Sequence, residues 1–233
     1  MSSFLLRLLA LVCMAADHTG LALFPSVGAF RCVGRLAFPL YCFLLVQGYG
    51  HTRDLRAYAR RLLLLALLSE VPFDLLIFGR VSCFAEQNAL FSLLLGLLAL
   101  SLADALRARP GPCLLAQAAV LLTAMASRVS YGWLGPALCL CFHFLRGSRL
   151  RQTTCACALL LVYTLSLLLS GVERGWALIS LFALLAPPLL LLYNGRRGPR
   201  VPLLTALFYA AYPLHLLALC AVRALRLVPP YFF

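Results

Sequence analysis

Long apolar runs recur from one end of this sequence to the other, at approximately 4–24, 31–50, 60–78, 88–106, 112–127, 131–146, 153–171, 175–193 and 203–224. Most are long enough to cross a bilayer as a helix, which takes about 17–25 residues. The segments between them are too short to hold a separate soluble domain. With 64% hydrophobic residues and a mean hydropathy of +0.97, the 233-residue chain lies far outside the soluble range, where about 45–50% of residues are apolar. The pattern predicts an all-α, polytopic integral membrane bundle of about nine transmembrane helices. The fifth and sixth runs are short, so eight is the alternative. Short connections predict antiparallel neighbours.

The 20 basic residues are all arginine, against 7 acids, for a net charge of +13. Their distribution predicts orientation. Arg7, Arg53, Arg56, Arg60, Arg61, Arg107, Arg109, Arg146, Arg149, Arg151, Arg196, Arg197 and Arg200 fall on one side of the alternating spans. Arg31, Arg35, Arg80, Arg128, Arg174, Arg223 and Arg226 are spread thinly over the other. The positive-inside rule then places the N-terminus in the cytoplasm. With nine spans, Pro229-Pro230-Tyr231-Phe232-Phe233 lies outside. Arginines confined to membrane-flanking loops argue against nucleic-acid binding. The first run lacks a cleavable signal pattern.

Ionisable groups inside apolar runs are costly and mark function. Asp17 and His18 sit in the first run, and Arg7 precedes His18 by a step of about 16 Å at helical rise. Arg35 lies in the second run, Glu70 and Asp74 in the third, Asn88 opens the fourth, and His215 lies in the last. Glu70 and Asp74 are four apart and share a helix face. Pro72 between them predicts a kink. Placed by depth, these groups share a layer from mid-membrane outward. Pairing of Arg35 with Glu70 or Asp74 is the structural alternative, as is a satisfied core histidine for His215. His51, beside Arg53 and Asp54, reads either as a solvated loop residue or, with Gly48, Gly50, Arg53, Arg56 and Arg60, as an anion site, because guanidinium forks suit phosphate. His143 reads as a snorkelling residue near a span end.

The ten cysteines show no zinc-like spacing, and the C-x-C pairs Cys139/Cys141 and Cys155/Cys157 read as small buried apolar residues. No P-loop, G-x-S-x-G or H-E-x-x-H is present. No metal site is expected.

The segments Asp17-His18-Thr19-Gly20, Gly34-Arg35-Leu36-Ala37-Phe38-Pro39, Gly48-Tyr49-Gly50-His51-Thr52-Arg53 and Ser69-Glu70-Val71-Pro72-Phe73-Asp74 follow one another in order. After them come Asn88-Ala89-Leu90-Phe91, Tyr131-Gly132 and Tyr212-Pro213-Leu214-His215. Together they resemble the TraX family over nearly the whole chain, which implies a single domain over residues 1–233. That family is similar to the wider transmembrane acyltransferases, including the acyltransferase-3 group, which places a basic residue and a histidine on its first span with ten residues between, as Arg7 and His18 are here. In the namesake the implied reaction is N-acetylation of a pilin amino terminus in conjugation.

The resemblance implies a multi-pass enzyme of the bacterial cytoplasmic membrane that takes an acetyl or similar group from cytosolic acetyl-CoA. The acceptor would be a protein N-terminus, a glycan or a lipid at the outer face. Arg7, with Arg35, His51, Arg53, Arg56 or Arg60, would hold the donor. His18 would act as general base, since imidazole titrates near neutral pH. Asp17 would orient it, or Glu70, Asp74 or Asn88 from a neighbouring helix, and His215 is the competing base. A small ion-coupled transporter or permease using Asp17, Glu70 and the histidines as a proton relay is the alternative. A non-catalytic membrane assembly factor is a third.

Overall fold

The computed structural model describes residues 1–199 and the helix that follows at 202–225, with side chains of that helix from 207 onward. The expected outer C-terminal segment 229–233, with Arg200 and Arg226, lies outside the described residues. Eleven α-helices and two 3₁₀ segments account for the ordered secondary structure, and among the described residues the only β-pairing is one isolated bridge, Gln87 with Val129.

Local sequence explains most of the boundaries. Helix α1 (Ser3–Leu23) starts where the Ser2 hydroxyl accepts from Leu5 N–H. The second apolar run splits into α2 (Gly28–Gly34) and α3 (Ala37–Tyr49). Pro39 lies in the first turn of α3, where a missing N–H costs nothing, and its ring prevents one helix from continuing unbroken from α2. Helix α4 (Leu55–Phe78) is capped by Asp54, whose Oδ1 accepts from Ala57 N–H at 2.8 Å, and stops at Gly79 with φ 66. It remains helical through Pro72. Asn88 caps α5 (Ala89–Ala105), Pro110 opens α6 (Pro110–Ala126), and α7 (Leu134–Phe144) follows a tight reversal with Arg128, Tyr131 and Gly132 at positive φ. Helix α8 (Arg149–Leu169) is capped by Ser148. The next run is broken into α9 (Arg174–Ile179), a 3₁₀ segment, α10 (Ala186–Leu189) around Pro187-Pro188, and another 3₁₀ turn. Helix α11 (Pro202–Leu225) closes the described chain.

Among the described residues, five segments are long and apolar enough to span a bilayer: Ser3–Leu23, Gly28–Tyr49, Arg149–Leu169, Arg174–Leu192 and Leu207–Leu225. Three other expected spans, α5, α6 and α7, have 17, 17 and 11 residues. At helical rise a 17-residue helix covers about 25 Å, short of a ~30 Å hydrocarbon core. Helix α4 has the length, but it carries Arg56, Arg60, Arg61, Glu70 and Asp74. The chain is thus an all-helical membrane protein with five candidate spans among the described residues.

Helix α3 forms the centre. Residues from Phe38 to Val46 on it are nearly all buried, with Phe43 against Phe142 of α7. Helix α1 packs on α2, α3 and α11, and α4 packs on α11 and α5. Leu114, Leu115 and Leu122 on α6, and Leu161, Val162 and Leu165 on α8, face outward. That exposure would be unfavourable in water and is neutral in lipid.

Candidate functional site

Between α1, α3, α4, α5 and α11 lies a cavity of ≈ 930 Å³, at the upper end of the about 300–1,000 Å³ typical of ligand sites. Its middle is apolar, with Leu44, Leu45, Leu62 and Leu65 among the walls. Its two ends are charged, and α1 links them as one unbroken helix from Arg7 to His18.

At the first end, Arg7, His51, Arg61 and Arg197 line the cavity with Gln47, Gly48 and Tyr58. Gly48 lets Tyr58 approach closely, since a Cβ there would stand 2.9 Å from the Tyr58 hydroxyl. The His51 Nδ1 donates to Gln47 O at 2.6 Å. Arg197 is held close to α1 because Phe4 N–H donates to its carbonyl. Arg7 and His51 of the expected donor set are therefore together. Arg53, Arg56 and Arg60 are not among the lining residues, and Arg61 and Arg197 stand there instead.

At the other end, His18 lines the cavity, and His215 lies behind it on α11. Their rings stack at 4.8 Å with an 18° interplanar angle, and His18 Nδ1 is 2.6 Å from His215 Nε2. His215 Nδ1 is 2.8 Å from the Ala211 carbonyl. A carbonyl only accepts, so His215 carries its proton on Nδ1. With both rings neutral, His215 Nε2 must accept and His18 Nδ1 must donate. The chain of bonds leaves the lone pair of His18 on Nε2, which makes no hydrogen bond among the described residues. Tyr212, one turn before His215, lies edge-on to both imidazoles, at 6.0 and 5.5 Å.

The carboxylates are placed differently from expectation. Asp17 does not orient His18. It accepts from Arg31 Nη1 at 2.7 Å and from Arg35 Nη2 at 2.9 Å. Arg35, expected to pair with Glu70 or Asp74 or to bind donor, pairs with Asp17. Arg31 on α2 and Arg35, the residue that caps its C-terminus, lie one turn apart, so one carboxylate can face both. Gly34 permits the approach, since a Cβ there would overlap the Asp17 side chain. Glu70 Oε2 accepts from the side-chain amide and backbone N–H of Asn88, and Asn88 also donates to Ala66 O at 2.9 Å. Asp74 accepts from Cys83 N–H at 2.7 Å. Neither acid is among the lining residues; both fasten α4 to the segment that follows it. His143 does not snorkel: it is 6% exposed, with Nε2 3.1 Å from Asp104. No group of three or more metal-ligating side chains occurs among the described residues.

Fold and site define a class: a helical membrane protein with a histidine pair at one end of an internal cavity and arginines at the other. The chain belongs to the TraX family. Residues 2–223 match the family described as TraX protein. A relative from Dichelobacter nodosus, named as the probable fimbrial assembly protein FimC of serogroup H1, is 31% identical over 95% of this chain and 96% of its own length. An uncharacterized protein, RP591, of Rickettsia prowazekii (strain Madrid E) is 44% identical over 20% of this chain and 18% of its own. No solved structure matches.

Proposed function

We propose that this chain is a membrane acyltransferase of the bacterial cytoplasmic membrane, with its N-terminus in the cytoplasm. It moves an acetyl or similar acyl group from cytosolic acyl-CoA to an acceptor amine or hydroxyl at the outer face. The observation that carries this reading is His18: a histidine with a free Nε2, set by a second histidine, about 16 Å along one helix from a cluster of cationic side chains. A donor with phosphates at one end and a thioester at the end of a long thin arm fits that layout. Arg7, Arg61 and Arg197 would hold the phosphates, the apolar middle would take the arm, and the thioester carbonyl would arrive near His18.

His18 Nε2 takes the proton of the acceptor as its nitrogen or oxygen bonds to the thioester carbonyl carbon. The electron pair on the carbonyl oxygen then returns, the C–S bond breaks, and the imidazolium gives its proton to the departing thiolate. His215 holds the ring through this exchange by accepting from Nδ1. The fimbrial-assembly name of the long relative makes a protein amino terminus the favoured acceptor. A proton-relay transporter is less well supported, because Asp17 is occupied by two arginines and Glu70 is off the cavity.

The test is isotope transfer. Purified protein in lipid nanodiscs is incubated with acetyl-labelled acetyl-CoA and a membrane extract from a strain lacking the gene. The expected result is label on an acceptor at a rate that His18→Ala lowers by about 10²–10⁴-fold. Label that stays on CoA, or leaves it equally fast with His18→Ala, would refute the reading.

A further inference from the structure

One carboxylate neutralises one guanidinium, so the Asp17–Arg31–Arg35 cluster keeps a surplus positive charge. Arg31 Nη2 and Arg35 Nη1 make no hydrogen bond with any described residue, and both side chains line the cavity at the His18 end. Their Nε atoms are buried and unpartnered as well. The two forks are also held rigidly. Arg31 lies 5.1 Å from the Trp176 ring and Arg35 5.8 Å from the Tyr131 ring. Tyr131 adopts φ 66, a conformation unfavourable for a bulky residue, and its ring stacks on Phe38 at 3.8 Å. Strain of this kind persists where the surroundings enforce it, and it clusters at ligand sites.

Fixed, desolvated guanidiniums with spare donors are suited to carboxylate or phosphate. The phosphates of the donor are not the target, since the cationic residues proposed for them stand at the opposite end of the cavity. Glu86 lines the same end as the forks. Its Oε1 accepts from Ser130 Oγ at 2.5 Å, and it forms no ion pair with either arginine. The forks therefore stay open, and a separate carboxylate stands ready for a cation.

We propose that Arg31 and Arg35 bind an anionic group of the acceptor, and that the acceptor is a polypeptide amino terminus with an acidic side chain close behind it. The carboxylate would dock on the arginines, the terminal ammonium would give one proton to the Glu86 carboxylate, and the free amine would then attack the thioester as His18 takes the second proton. This proposal rests on the acyltransferase reading.

The experiment compares two fluorescent peptides with free amino termini that differ only in Glu or Gln near the terminus. Binding is read by anisotropy on the wild-type protein in nanodiscs of uncharged lipid, and labelled transfer is measured in parallel. The acidic peptide is expected to bind about tenfold more tightly, which is 1.4 kcal/mol, with the advantage lost in Arg35→Gln and reduced by salt. Equal affinity of the two peptides on the wild-type protein would overturn the proposal without needing any variant. So would loss of the preference in discs of anionic lipid, which would give the forks to a lipid headgroup. Discrimination in binding without transfer of label would refute the acyltransferase reading and leave the subsite standing. Transfer to both peptides with equal KM would do the reverse.

Discussion

Replacing His215 by Phe keeps an aromatic ring against His18 but removes the acceptor that fixes its tautomer. In the native protein His18 Nδ1 donates across 2.6 Å to His215 Nε2. A neutral hydrogen bond of this kind contributes about 0.5–1.5 kcal/mol net. If it only steadied the ring, its loss would slow transfer by about 2- to 12-fold. It also decides which nitrogen is basic, and an untied imidazole spends part of its time with the proton on Nε2. The expected loss in kcat is therefore larger, about 10- to 100-fold, and below the about 10²–10⁴-fold expected for His18→Ala. The donor KM should not move, because the phosphate end is untouched. The double variant His18→Ala/His215→Phe should be no slower than His18→Ala alone, since His215 acts only through His18 and groups that work as a unit are not additive. The assay is single-turnover transfer of labelled acetyl groups on four preparations with matched thermal melts. A double variant that loses the product of the two single losses would show that the histidines act independently, and the positioning argument would fail.

Other expectations follow from the same geometry. Arg7→Gln or Arg61→Gln should raise the KM for acetyl-CoA by about tenfold with kcat little changed, as loss of uniform binding does; Arg53→Gln should leave it alone, and equal effects at all three would remove the donor site from the cavity. Asn88→Ala should cost about 2–4 kcal/mol of stability, because it deletes the α5 cap, leaves Ala66 O without its amide donor and leaves Glu70 with only the backbone N–H of residue 88; a melt within a degree of the native protein would contradict that. In a cysteine-free background, a cysteine at Arg56 or Arg109 should label only after the cells are opened, and one at Arg80 should label in intact cells. The reverse pattern would invert the proposed orientation.

The helical membrane class was legible in the sequence because run length and apolarity are one-dimensional properties. The span count was less so. Helix α7 has the composition of a span and only 11 residues, because the tight reversal at 128–132 uses up the start of the run. Among site residues, His18 and Arg7 could be placed from spacing on one helix. The partners of Asp17 could not, because Asp17, Arg31 and Arg35 meet only after α2 folds back on α1. The i, i+4 spacing of Arg31 and Arg35 was the available signal for a shared target. Arg197 is brought to the cavity by backbone bonds between residues 3–4 and 196–197, a pairing with no mark in the sequence. Glu70 and Asp74 stood out as acids in an apolar run, but their partners, Asn88 and the Cys83 N–H, come from the segment after α4 and have no mark in the spacing.

A cavity with charged groups at both ends of an apolar middle sets a problem for a membrane that stores energy as a proton gradient. Water entering such a space could carry protons downhill past His18 and dissipate the gradient with every donor exchange. On the acyltransferase reading, the two guanidiniums beside Asp17 would oppose this, because a fixed arginine raises the barrier to hydronium as it does in water-selective pores, with Glu86 at the same end offsetting part of their charge. The same three residues would then insulate the membrane as well as read the acceptor. Arg35→Gln protein in vesicles loaded with a pH-sensitive dye should therefore collapse an imposed pH step faster than the native protein. Equal decay in the two preparations would leave the arginines with recognition alone.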